Sequence, residues 1–339
     1  MKNHLFFFTT ICSLISATSC AKLKLANKYY LSPCYYDSPV RQSDFPQHFL
    51  EIDLDQYTDE IRSHHQFEVD TIEVINYQSV DYPVLRINHR GRVGEKKLLI
   101  LAGVHGNESG GTLAVPRLLS KIEDFPARYK NWDIQIITPV NPVGTVFMSR
   151  YNENGCDLNR KVKKSTQKGV VIQREAIIEF EPDIVLNLHE APYTGFLIHP
   201  TKEVNRQLCF DILKSIEHDG ILLSTEDYHM GRELTPPGFS PLKGIGKFFS
   251  KLFSVQPLDD FVAKSGIPLI TTESGWNSPD PFQRIDSHLL FIDGVIEHFE
   301  KTNWISKLLN NSSQSIWLQK IRFEGSLLRL AILQLNVYP

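Results

Sequence analysis

The sequence carries no CxxC pair, no GxSxG elbow, no Walker loop and no GxGxxG. A cysteine zinc site or redox pair, an elbow-type serine hydrolase, a P-loop enzyme and a Rossmann dehydrogenase therefore lack their signatures. Charge of one sign is scarce too. The 339 residues sum to −3, which removes the electrostatic case for a nucleic-acid partner. No apolar run reaches the roughly 18 residues of a transmembrane helix, so a polytopic membrane protein is not expected. Internal repeats and low-complexity tracts are lacking. What is there, 42% apolar and 22% charged residues, reads as globular. The length suits one large α/β domain or two small ones.

The N-terminus reads as an address. Met1-Lys2-Asn3-His4 is weakly basic, Leu5 to Ala17 is mostly apolar, and small residues lead to Cys20. That is the layout of a signal peptide over residues 1–20, so the protein is expected to be exported, periplasmic or secreted. Cys20 is where a lipid anchor would attach in a bacterial lipoprotein. Of the five cysteines, Cys12 falls in this leader and Cys20 at its edge. Cys34, Cys156 and Cys209 remain, enough for one disulfide and a free thiol, with the pair unassigned.

Residues 21–68 read as a loop-rich lead-in with a helix around Asp53 to His65. Thr71 to Tyr77 and Tyr82 to Asn88 form a hairpin pattern. Lys97 to Val104 (KLLILAGV) is a near-continuous apolar run, as a strand buried on both faces requires. Helical spacing follows over Gly111 to Ile122, where Pro116 restricts the first turn. A strand at 132–140, a helix at 170–180, a strand at 183–188, a helix at 204–218, a strand at 268–272 and an amphipathic helix at 287–301 complete the pattern. Such alternation implies α/β with a largely parallel sheet. Ser326 to Leu335 reads as a packed helix or an edge strand.

Chemistry gathers at strand ends. HxxE occurs at His48/Glu51, His65/Glu68 and His105/Glu108, and most such pairs are surface residues. The third follows a buried strand and is flanked by glycines, where α/β folds place ligands. The strand DIVLNL ends in His189, and IPLITT ends in Glu273. Each alone is ordinary. On neighbouring strands, His105, Glu108, His189 and Glu273 would share one crevice. Two His and a carboxylate hold zinc with one position open for water, whose pKa falls to about 7 there. Glu273 is the candidate base for that water. Two arginines in the stretch SRYNENGCDLNR suit a developing oxyanion and a substrate carboxylate.

The motifs LLILAGVHGNESGG, NPVG…SRYNENGCDLNR, VLNLHEAP and PLITTESG resemble the zinc carboxypeptidase superfamily. Within it they are most similar to the branch of succinylglutamate desuccinylase, aspartoacylase and murein-peptide carboxypeptidases, over roughly residues 70 to 300. The resemblance implies a single three-layer domain. Its mixed, mostly parallel sheet has about eight strands, with helices on both faces. It implies one Zn2+ on His105, Glu108 and His189, Glu273 as general base, and Arg150 polarising the scissile carbonyl. Asn159 and Arg160 would anchor a substrate carboxylate, Asp157 would orient a ligand His, and Tyr228 is the nearest equivalent of a mobile-loop tyrosine. Lys161-Val162-Lys163-Lys164 departs from the aromatic residue common among the peptidases.

The chain is thus expected to divide into the leader, the lead-in, a catalytic domain at 69–305 and a C-terminal extension at 306–339. That extension is too short for the β domain of the deacylases. With export, this favours amide hydrolysis next to a free carboxylate in a periplasmic or cell-wall peptide. The alternatives are an N-acyl amino-acid deacylase, an inactive exported binding protein and a structural lipoprotein.

Overall fold

The structure is a computed structural model, and it describes residues 34–39, 50–227, 232–241, 256–278 and 280–311. The leader, Cys20, Tyr228 and residues 312–339 lie outside the described residues. The chain divides into two compact units, Met1–Gly294 and Val295–Pro339.

A helix α1 (Leu54–Ser63) opens the described fold, capped by Asp53, whose carboxylate accepts from the amides of Asp55 and Gln56. Strands β1 (Glu68–Tyr77) and β2 (Val80–His89) form the expected hairpin. Its two turn residues, Gln78 and Ser79, both take positive φ, as a tight hairpin turn requires. Then follow β3 (Lys96–Ala102), α2 (Ser109–Asp124), β4 (Trp132–Thr138), the short α3 (Pro142–Val146), α4 (Lys168–Phe180), β5 (Ile184–Ala191) and β6 (Leu197–Pro200). Next come α5 (Arg206–His218), the two-residue strands β7 (Glu226–Asp227) and β8 (Arg232–Glu233), α6 (Leu258–Val262), β9 (Leu269–Gly275) and α7 (Pro281–Asn311). Residues of α7 beyond Gly294 fall in the second unit.

The main sheet has seven strands, ordered β1-β2-β4-β3-β5-β9-β6, where about eight were implied. Its centre, β4-β3-β5-β9, is parallel, and β1, β2 and β6 join antiparallel. The central strands bury nearly every side chain, which explains their unbroken apolar runs. From β3 the chain crosses through α2 to β4 on one side, then through α4 to β5 on the other side of β3. Two right-handed crossovers in opposite directions set α2 and α4 on opposite faces. Between β3 and β5 the connections diverge, opening a crevice beyond the carboxyl ends of both strands.

Pro116 lies inside α2 rather than limiting its start. A proline there leaves the carbonyl four residues back, that of Thr112, without its helical donor. The Tyr57 hydroxyl of α1 donates to that carbonyl at 3.3 Å and pairs with Thr138 Oγ1 at 2.7 Å. The helix thus keeps the proline because a neighbouring helix replaces the missing bond. The cysteine question also resolves: Cys34 and Cys156 form a disulfide, and Cys209 is a buried free thiol.

Candidate active site

His105 stands three residues past the end of β3, in a turn that packs against α3. A Cβ on Gly106 would lie 1.8 Å from the backbone carbon of Gly144, so no larger residue fits. Glu108 sits at the N-cap position of α2 but makes no side-chain cap bond. Its carboxylate turns inward: Oε1 is 2.7 Å from His105 Nδ1 and Oε2 is 2.6 Å from His189 Nδ1. The two Nδ1 atoms stand 3.1 Å apart. All three side chains are buried.

This trio fits a metal ion. Two imidazole nitrogens facing each other at that distance can share at most one proton, and a carboxylate spans both. The ligand atoms lie within 4.8 Å of one another. Buried His189 also leaves its Nε2 without a hydrogen-bond partner, so its ring is not fixed by a structural bond on that side. Burial lowers the His189 pKa, favouring the neutral ring a metal requires. Burial alone would raise the Glu108 carboxyl, but His105 and His189 hold it below the usual carboxylate range.

Asp157 lies beneath His105. Its Oδ1 is 3.2 Å from His105 Nε2 and accepts from the Asn159 amide at 2.8 Å. Arg150 donates from Nε to Asp157 Oδ2 at 2.9 Å and from a terminal nitrogen to Glu108 Oε1 at 3.1 Å. Arg160 comes within 3.8 Å of Asp157. Burial pushes the Asp157 carboxyl up, yet Arg150, Arg160 and His105 hold it well below the ordinary range. Glu273 sits opposite His189 in the parallel register of β5 and β9, so both side chains leave the same face. Burial, with the nearby Glu108 carboxylate, pushes the Glu273 carboxyl well above its ordinary value. Asn159 spends its side-chain oxygen on the Leu258 amide at 2.9 Å, tying α6 to the site.

The structure therefore brings together His105, Glu108, His189, Glu273, Arg150, Asp157, Asn159 and Arg160. Three residues nearby escaped the sequence reading. Glu190 and Arg284 form a fully buried ion pair behind the ligands. The signals were the doublet His189-Glu190 and a charged residue on the apolar stripe of α7. The third is Asp259 of α6, which accepts from Thr271 Oγ1 at 3.1 Å. Burial pushes its carboxyl up to about 6, offset in part by that hydrogen bond. The neutral acid is therefore the form the fold prefers. Its stabilisation is complete below about pH 4 and is lost as pH rises through about 6, about 3 kcal/mol in all. In Asp259→Asn this loss is expected to vanish. Chemical denaturation at pH 4.5 and pH 7.5 checks it: the wild type should weaken relative to the variant at the higher pH.

Residues 94–230 match the family model described as the succinylglutamate desuccinylase/aspartoacylase catalytic domain. Among solved structures, the chain is similar to a candidate metallopeptidase from Shewanella denitrificans OS217. Identity is 15%, 76% of this chain and 98% of that chain are covered, and the TM-score is 0.59. A metallo-carboxypeptidase from Burkholderia cenocepacia shares 16% identity over 73% of this chain and 68% of that one, with a TM-score of 0.53. A Pseudomonas aeruginosa metallo-carboxypeptidase, in complex with (2-guanidinoethylmercapto)succinic acid, shares 15% over 74% and 70%, with a TM-score of 0.54. These likenesses are of fold. No curated protein sequence matches significantly. Among the described residues no helix is long and apolar enough to cross a membrane.

Proposed function

From residues 94–230, which match the succinylglutamate desuccinylase/aspartoacylase catalytic domain, we propose that the chain is a zinc hydrolase of amide bonds beside a free carboxylate, in the main a carboxypeptidase. The observation that carries this reading is the buried trio His105, Glu108 and His189 with Glu273 in register beside it. Two nitrogens and one carboxylate form the donor set zinc favours in catalytic sites. Zinc held there would supply Lewis-acid polarisation of the substrate carbonyl and of the attacking water.

The chain's own residues then divide the work. Glu273 takes a proton from the water as its oxygen bonds to the carbonyl carbon. It returns that proton to the amine nitrogen as the C–N bond breaks. Arg150, already at the ligand cluster, offsets the charge growing on the carbonyl oxygen. Arg160 and the side-chain nitrogen of Asn159 receive the substrate carboxylate and set its register. Asp157 holds His105 by its outer nitrogen, fixing which nitrogen faces the metal.

The carboxypeptidase reading draws support from the likeness to metallo-carboxypeptidases, and the leader-like N-terminus favours a peptide met outside the cytoplasm. The family match favours a second reading, deacylation of N-acyl amino acids by the same residues. Zinc-loaded protein assayed on muropeptides and on N-succinyl and N-acetyl amino acids separates them. Release of a C-terminal residue, lost when the carboxylate is amidated, is the expected result. Turnover of only the acyl amino acids would establish the second reading. Zinc binding without hydrolysis of either class would leave a binding protein.

A further inference from the structure

Behind the ligands, one carboxylate joins the segments that build the site. Glu190 follows His189 on β5. It accepts from the Gly110 amide at 2.8 Å, two residues beyond Glu108, in the first turn of α2. It also accepts from Ser274 Oγ at 3.0 Å, one residue beyond Glu273 on β9. Arg284 of α7 closes the group with a two-pronged contact, Nε at 2.6 Å and a terminal nitrogen at 2.8 Å. The same guanidinium reaches Ser109 Oγ at 3.5 Å. The Glu190 main-chain amide faces Glu108 Oε2 at 3.2 Å.

Several details mark this as a built device rather than an incidental ion pair. Both side chains are wholly shielded from solvent. Four donors saturate the two carboxylate oxygens, as burial of such a charge demands. A Cβ on Gly110 would lie 2.7 Å from Glu190 Oε1, so glycine there is what admits the carboxylate. Glu190 also supplies the acceptor for a first-turn amide of α2 that Glu108, turned to the histidines, does not satisfy.

We propose that Glu190, charged and oriented by Arg284, is a positioning residue that fixes the mutual placement of His189, Glu108 and Glu273. It sits one residue from His189, grips the helix turn that begins at Glu108, and holds the residue after Glu273. Sheet pairing already holds β5 and β9 in register through His189 and Glu273. The clasp adds side-chain ties that fix the first turn of α2, and with it Glu108, against both strands through one rigid planar group. The inference rests on the zinc hydrolase reading and extends it to residues that touch neither metal nor substrate.

The consequence is measurable apart from turnover. Breaking a buried pair by removing one partner costs stability by itself, so both charges are removed together, in Glu190→Gln/Arg284→Met. A second variant, Ser274→Ala, cuts only the tie to the Glu273 strand. Zinc affinity of the metal-free proteins is read by competition with a chromogenic chelator, beside thermal melting of the metal-free state and kcat and KM on whichever substrate class the assay of muropeptides and N-acyl amino acids identifies. The double variant is expected to bind zinc 10- to 100-fold more weakly, the range seen when outer partners of ligands are lost. Its kcat should fall with KM within about threefold. Ser274→Ala should keep zinc affinity within about twofold and lose about tenfold in kcat.

A merely structural pair would lower the melting temperature and leave zinc affinity unchanged. A folded double variant with wild-type zinc affinity therefore overturns the clasp. Should the double variant fail to fold, Ser274→Ala decides: kcat equal to wild type overturns the proposal, and a selective loss of kcat supports it. A wild-type protein that takes up no zinc would overturn the functional reading itself. Wild-type binding and turnover beside unaltered variants would overturn the clasp alone.

Discussion

His189→Ala is expected to lose metal and turnover together. The substitution removes one of two nitrogens in the trio and leaves Glu108 Oε2 without its 2.6 Å partner. A carboxylate and one imidazole hold zinc poorly, so metal per chain should drop from near one to near zero at micromolar zinc. The turnover loss should exceed the 10- to 100-fold typical of removing a group that only supports a ligand. Added zinc should also raise the melting temperature of the wild type and leave that of the variant still, since only a bound ligand stabilises by mass action. Elemental analysis, kcat and melting curves test this together. Full metal content in the variant would remove His189 from the ligand set.

Glu273→Gln should behave in the opposite way on the first measure. Glu273 stands beside His189 in the sheet but outside the trio, so metal content is expected to stay at the wild-type level. The amide cannot accept and return a proton, and kcat should fall about 10^2- to 10^4-fold. KM should change little, because the proposed mechanism rests the substrate carboxylate on Arg160 and Asn159 rather than on Glu273. A variant with full metal and near wild-type kcat would pass the role of base to another group. The contrast between these variants separates holding the metal from moving the proton.

Much of this was visible in the sequence because the central strands are buried on both faces. KLLILAGV, DIVLNL and IPLITT are strongly marked, and the residues that end them fall where α/β sheets place ligands. The strand β6 and the pair β7 and β8 were missed, being too short for periodicity to register. Glu190 and Arg284 were missed for another reason. They are 94 positions apart, and neither residue's local sequence names the other as its partner. The Cys34–Cys156 pairing had the same character, its members standing 122 positions apart. Periodicity reports what lies along an element, while these partners are set by which elements meet.

The proline inside α2 bears on how the chain can be divided. Its stray carbonyl is met by a hydroxyl from α1, and α1 also buries Leu54, Thr58 and Ile61. A shortened protein starting where the sheet starts would expose the back of the helix that presents Glu108. The stretch ahead of the first strand is accordingly a keystone of the catalytic body, and any truncation for crystallisation or assay should begin upstream of Asp53.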